Sequence, residues 1–274
     1  MAAAPPTGFN DLELVCQAAI FARLPPADAA RAACVHPLWR AGAGDDAVWR
    51  PHLAADFAAT APAGPDGAPA AGFRAAYAAW RGAYGDVAGP MLARALAAWG
   101  GLKAWLREHA PQVLETLNPG ATPAQVAEAE AALGHPLPLA LRCIYRVHNG
   151  QDLQLQQGPA GAPPPRLLLG LFGTLVFYDH VTSNALQPLA DVVQQSLLYR
   201  SIRPMGARQP LLPAGHVVFA RSFRPNDKAR GRVRAPAVCV LDCESGDVYL
   251  KLPQQDWPLA PPGGEGGACD GLLV

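Results

Sequence analysis

Proline breaks between Ile20 and Trp49 confine that stretch to short helices, and this constrains the chain more than any other feature. Leu24-Pro25-Pro26 stops any helix that runs into it, because proline disfavours helical backbone in the residue before it and supplies no amide donor. Upstream, Leu12, Val15, Ala19 and Ile20 recur at helical spacing and give one apolar face. Ala29 to Val35 predicts an alanine-rich second helix. Pro37 suits the first turn of a third, which presents Leu38 and Trp39. Three helices in about 40 residues bury too little surface to be comfortably stable alone, so cover from a partner is a natural remedy. A small helical bundle with Trp39 and Trp49 buried is the competing reading.

The residue types and their spacing resemble the F-box. Leu24-Pro25-Pro26 with Asp28 opens a helix, Val35 falls seven residues after Asp28, Trp39 four after that, and Trp49 ten later. The F-box joins a protein to a cullin-RING ubiquitin ligase through a Skp-type adaptor. Two departures stand out. The usual Leu-Pro opening reads Asn10-Asp11-Leu12-Glu13-Leu14, and His36 replaces the cysteine that usually follows the valine. The resemblance implies adaptor contacts from Leu12, Leu14, Ile20, Leu24, Pro25, Pro26, Val35, Leu38, Trp39 and Trp49, and no chemistry of the chain's own.

At 274 residues the chain fits one large or two small domains. A formal net charge of +0 gives no global field toward nucleic acid or an anionic membrane, so neither is expected as a partner. No run approaches the ~18 apolar residues that span a bilayer, and the start M-A-A-A-P-P-T-G-F lacks a secretory pattern. Six scattered cysteines predict buried free thiols in a reducing compartment, cytoplasm or nucleus.

Along the chain, residues 1–9 read as a leader, 10–51 as the F-box-like unit, and 52–99 as a linker and helical connector. Within that connector, the Pro/Gly/Ala stretch 60–72 is expected to be flexible. Phe73, Tyr77, Trp80 and Tyr84 then follow at helical spacing, as packing rather than a ligand cage. Met91 to Leu117 predicts further helices broken at Gly100-Gly101. Thr122-Pro123-Ala124-Gln125 has the spacing of a capping box, and Gly134 suits the stop of the helix it opens. A second helix runs from Leu137 to Asn149-Gly150. Strands are expected within Leu167–Tyr178, His216–Phe223 and Pro236–Leu241, the last pairing with Asp247–Leu252, and a helix over Leu189–Tyr199. The tail 256–274 is low-complexity and reads as disordered.

This order of capped helix, Leu-Pro, helix, Asn-Gly and strands resembles the SUKH superfamily over about 100–255. Gly101-Leu102-Lys103-Ala104-Trp105-Leu106, Thr116-Leu117-Asn118-Pro119-Gly120 and Phe177-Tyr178-Asp179-His180 look like F-box proteins of plants and animals that carry a SUKH domain behind the F-box. The resemblance implies an α+β fold with a mostly antiparallel sheet, and members usually continue into an ApaG-like β-sandwich that has no counterpart here. It also implies a substrate receptor of an SCF (Skp-cullin-F-box) ligase, with adaptor, cullin, RING subunit and a protein substrate as partners. A SUKH-based scaffold or regulator outside ubiquitination is the alternative.

Candidate substrate contacts are Asn149, Gly150, Gln151, Tyr178, Asp179 and His180, at element ends where loops carry binding groups. Their competing reading is structural, with Asn149-Gly150 as a helix stop and Tyr178 as core. No phosphate loop, nucleophile elbow or zinc helix is present, so no cofactor, metal or catalytic residue is expected. Cys239 and Cys243 read as strand packing. Asp179-His180 is no dyad, since neighbours on a strand point apart. Six basic residues from Arg221 to Arg234 lie in one polar loop, read as a solvated hairpin loop between two strands, with a docking patch for an acidic partner or nucleic acid as the alternative.

Overall fold

The computed structural model describes residues 8–152, 170–177, 180–203, 210–223 and 238–251. It falls into two compact units, Met1–Ala98 and Trp99–Val274. The leader, the tail and the basic residues beyond Arg221 lie essentially outside the described residues.

In the first unit α1 (Leu14–Phe21) ends before Leu24-Pro25-Pro26. α2 (Pro26–Ala32) and α3 (Pro37–Gly44) each start on proline, whose missing N–H has no partner to lose at that position. The ring of His36 caps α3, its Nδ1 accepting the Leu38 N–H at 3.2 Å, so this departure from the usual cysteine has a local task. α4 (Asp46–Phe57) is capped by Asp45, which accepts from the Ala47 N–H at 2.8 Å. Asp46 in turn accepts from the Phe73 N–H at 2.9 Å, opening α5 (Phe73–Tyr84).

Phe21, Val48, Trp49, Leu53, Phe57, Phe73 and Tyr77 are buried. α1 and α3 approach closely at Gly42, where a Cβ would meet the Gln17 Cβ at 3.1 Å and the Phe21 ring at 3.2 Å. The stretch 60–72, expected from composition to be flexible, closes on itself through an Ala63–Pro69 bridge, and Trp80 donates to the Ala63 carbonyl at 2.9 Å. Proline and glycine there shape a turn that neighbouring side chains tie down.

α6 (Pro90–His109) passes through Gly100-Gly101 without the expected break. Each interior glycine costs about 1 kcal/mol. Buried Leu92, Trp99 and Leu106 share one face at heptad spacing, and burying such side chains returns about 1.5–3 kcal/mol each.

The second unit continues with α7 (Pro111–Leu114) and α8 (Pro123–Leu133). The capping box forms as its spacing predicts. Gln125 N–H donates to Thr122 Oγ1 at 3.2 Å, and Thr122 N–H donates to Gln125 Oε1 at 2.8 Å. Gly134 ends the helix at φ 78°. α9 (Leu139–Val147) follows.

Among the described residues five strands, β1 (Thr174–Phe177), β2 (His180–Leu186), β3 (His216–Phe223), β4 (Val238–Asp242) and β5 (Val248–Lys251), form one antiparallel sheet in chain order. α10 (Leu189–Ser201) lies between β2 and β3 in sequence and packs on β3. Along β4 the sides alternate: Cys239 and Leu241 meet the main core with Leu141, Tyr145 and Val217, whereas Val238 and Val240 pack with Leu212 and Val218. β3 carries an irregularity between Val218 and Ala220. The fold is α+β.

Candidate functional site

α1 has an unusual partition of residue types. A soluble helix buries its apolar stripe and shows charge to water. In α1 the side chains turned inward are Gln17, Ala18 and Phe21, and those turned outward are Leu14, Val15, Cys16, Ala19 and Ile20. The outward set contains no charged residue, and Val15 is 67% exposed. Val35 and Leu38, after α2 and in α3, are 67% and 50% exposed. Gln17 is held inside by donating to the Leu12 carbonyl at 3.1 Å. Leu12, Leu24 and Pro26 are half-buried, and Pro25 is exposed.

The two tryptophans of the expected adaptor set separate. Trp39 is half-buried against Phe9 at 5.0 Å between ring centroids, and its Nε1 donates to Asn10 Oδ1 at 2.7 Å. Trp49 does not belong to the outward set. It is 3% exposed, donates to the Ala43 carbonyl at 2.7 Å and packs on Tyr77, so it is core. The cause is its position on the inner face of α4 beside Val48, Leu53 and Phe57. Cys16 and Cys34 are exposed rather than buried as composition suggested.

In the second unit Asn149, Gly150 and Gln151 are taken up internally, which corrects their reading as substrate contacts. Asn149 Oδ1 accepts from the Leu189 N–H at 2.9 Å, in the first turn of α10. Gln151 is buried; its Nε2 donates to Thr116 Oγ1 and its Oε1 accepts from Leu171 N–H, both at 2.8 Å. Gly150 has φ 71°, and a Cβ there would sit 2.4 Å from the Pro188 nitrogen. Tyr178 and Asp179 lie outside the described residues; His180 opens β2, and its side chain is outside them too.

Two titratable groups of this unit have shifted pKa values: Cys243, read from the sequence as strand packing, and His148, which the sequence did not single out. The Cys243 thiol, at the turn between β4 and β5, is pushed up to about 11 by burial and then by Asp242, so no thiolate forms at neutral pH. His148, edge-on to Trp99 at 4.7 Å, has its Nδ1 2.9 Å from the Asn118 carbonyl. Its Nε2 is buried with no hydrogen-bond partner among the described residues. Burial, with Lys103 nearby, lowers its pKa from the ordinary histidine value, against the Asn118 hydrogen bond.

An imidazole of lowered pKa is protonated more readily in the unfolded chain. Its stabilising contribution is therefore full above about pH 6.5 and fades as pH falls from there through the folded value. His148→Gln should accordingly show a smaller drop in melting temperature between pH 7.5 and pH 5.5 than the wild type. Parallel melting curves with the same pH slope would remove His148 from the account.

Among the described residues no group of three or more His, Cys, Asp or Glu is placed to hold a metal ion, and no helix is long and apolar enough to cross a membrane.

Residues 120–227 match the model of the SMI1 / KNR4 family (SUKH-1). The chain is 30% identical to F-box protein SKIP16 of Arabidopsis thaliana over 230 residues, 84% of this chain and 48% of the relative. That length exceeds what either compact unit holds, so the likeness runs through both. The chain thus spans about half the length of this relative. Human F-box only protein 3 is 33% identical over 89 residues, 32% of this chain and 16% of the relative. A KNR4/SMI1 homolog of Eremothecium gossypii is 29% identical over 124 residues, 42% of this chain and 19% of the relative. Residues 120–227 are therefore a SUKH-1 domain of the SMI1/KNR4 family, and the chain that carries it is a relative of F-box proteins.

Proposed function

We propose that this chain is the substrate-receptor subunit of an SCF-type E3 ubiquitin ligase. An F-box at 10–51 binds a Skp-type adaptor and, through it, the cullin and RING subunits. A connector at 52–99 leads to a SUKH-like domain at 100–255 that recruits a protein substrate, with Tyr178, Asp179 and His180 as its proposed contacts. The observation that carries the adaptor half is the uncharged outward face of α1, together with the exposure of Val35 and Leu38. Covering each large apolar side chain contributes about 1.5–3 kcal/mol, and helix-in-groove contacts concentrate affinity in a few such residues.

The reaction is then catalysed by proximity. The receptor raises the effective concentration of a substrate lysine near the charged conjugating enzyme, and the chain itself needs no cofactor. The proposed compartment is cytoplasm or nucleus.

The test is direct binding. Purified chain and Skp-type adaptor should form a complex at micromolar concentration, and Leu24→Ala with Pro25→Ala should weaken it about tenfold, near 1.4 kcal/mol. Absence of the wild-type complex would sink the receptor reading. The second reading, a SUKH-based scaffold or regulator outside ubiquitination, draws on the likeness to the KNR4/SMI1 homolog of Eremothecium gossypii. It predicts no adaptor complex while other partners are still held.

A further inference from the structure

The first unit also contains a cleft of about 660 Å³ that the outward face of α1 does not account for. Pro25 and Pro26, Arg74 and Arg81 of α5, Asp56, and the buried Trp49 and Tyr77 are among its lining residues. Arg74 and Arg81 are both exposed and sit seven positions apart on one helix, so they share a face about 10 Å apart along the axis.

Each guanidinium is steadied by an aromatic group that leaves its charge intact. Arg74 lies 5.9 Å from the Trp49 ring centroid, and Arg81 approaches the Tyr77 hydroxyl. Two acids stand nearby: Asp56 lines the same cleft, and Asp46 lines a neighbouring hollow with Arg74. Asp56 accepts the Tyr77 hydroxyl at 2.7 Å, and Asp46 accepts the Phe73 N–H at 2.9 Å. Among the described residues no carboxylate lies within ion-pair distance of either arginine.

We infer that this cleft docks a short acidic segment of a partner protein, with carboxylates about three residues apart reaching Arg74 and Arg81. Three residues of polyproline II chain span about 9 Å and bring side chains back to the same face, close to the separation of the two arginines. The two prolines offer apolar cover to the peptide between its acids. A nucleic acid is the poorer fit, because Trp49 and Tyr77 are buried and present no free face for base stacking. The cleft shares Pro25 and Pro26 with the proposed adaptor contacts, and the peptide test below is run on the free chain so that it reads the arginines alone.

The probe is a fluorescein-labelled peptide of alanine and serine with glutamates three residues apart, beside the same peptide with glutamine in their place. Fluorescence anisotropy with the full chain should show the glutamate peptide binding at least about tenfold more tightly than the glutamine one. That is a realistic yield for two exposed pairs at about 0–1 kcal/mol each, and it should fade as salt rises. Arg74→Glu with Arg81→Glu should abolish the difference. Ala78→Phe, which fills the cleft and keeps both charges, should weaken binding at an unchanged melting temperature. If Ala78→Phe does not fold, the charge-reversal arm alone decides. The inference is overturned if wild type ignores the glutamate peptide, or if the double variant binds it equally well. Loss in the double variant of binding to a labelled single-stranded oligonucleotide, with no peptide binding by wild type, would likewise overturn it.

Discussion

Gly150→Ala is expected to destabilise the second unit by more than about 3 kcal/mol, the range reserved for changes that force buried backbone to move. Its φ of 71° alone would not do this. Gly134 has a similar φ of 78°, yet a Cβ there meets nothing within 4 Å. Alanine at position 134 should cost only the left-handed backbone penalty, roughly 1–2 kcal/mol. At Gly150 an added Cβ would lie 2.4 Å from the Pro188 nitrogen and 2.5 Å from the Gln187 carbonyl carbon. Backbone cannot rotate away as a side chain can. Calorimetry of the full chain should show the second unit melting about 6–12 °C lower in Gly150→Ala. A shift no larger than that of Gly134→Ala would mean the approach to Pro188 relaxes freely.

Val15→Glu combined with Ile20→Glu should weaken adaptor binding at least about 100-fold, near 2.7 kcal/mol, and leave the melting temperature where it was. Both positions are exposed in the free chain, at 67% and 42%, so glutamate there loses no packing and keeps its water. In a complex the same carboxylates would be stripped of water without a partner, which is far more costly than losing an apolar contact. Trp49→Ala should give the opposite signature, since it removes a core side chain and costs stability first. If the double glutamate variant binds adaptor as the wild type does, the outward face of α1 is not the contact.

The sequence was legible wherever one residue type had one physical use. Pro26, Pro37 and Pro123 marked helix starts, Thr122 and Gln125 marked a capping box, and Gly134 marked its stop. Strands built around an apolar run, such as Val217–Ala220 within His216–Phe223, were equally plain. β2 was not, because H-V-T-S-N-A-L offers little apolar alternation and takes its place by pairing between β1 and β3. Gly100-Gly101 misled for a related reason: local propensity favoured a break, and side chains at 92, 99 and 106 overrode it.

The proposed docking residues were only partly separable by sequence. Ile20, Leu38 and Trp49 are all apolar residues on short helices, and only the helix faces turned inward show that Trp49 is core. Asn149-Gly150-Gln151 pointed two ways. Polar groups at the end of a helix can serve a ligand or a distant backbone, and here Leu189, Leu171 and Thr116 receive them.

That arrangement limits how the SUKH-1 domain can respond to anything it holds. One three-residue turn supports the first turn of α10 and joins it to the chain before α8 and the chain leading into β1. To shift any of these elements against another, this buried knot of hydrogen bonds would have to open, leaving several amide groups unpaired at about 1–3 kcal/mol each. Under the proposed function, recognition on this domain would select a shape that already exists, and adaptation would have to come from the bound protein.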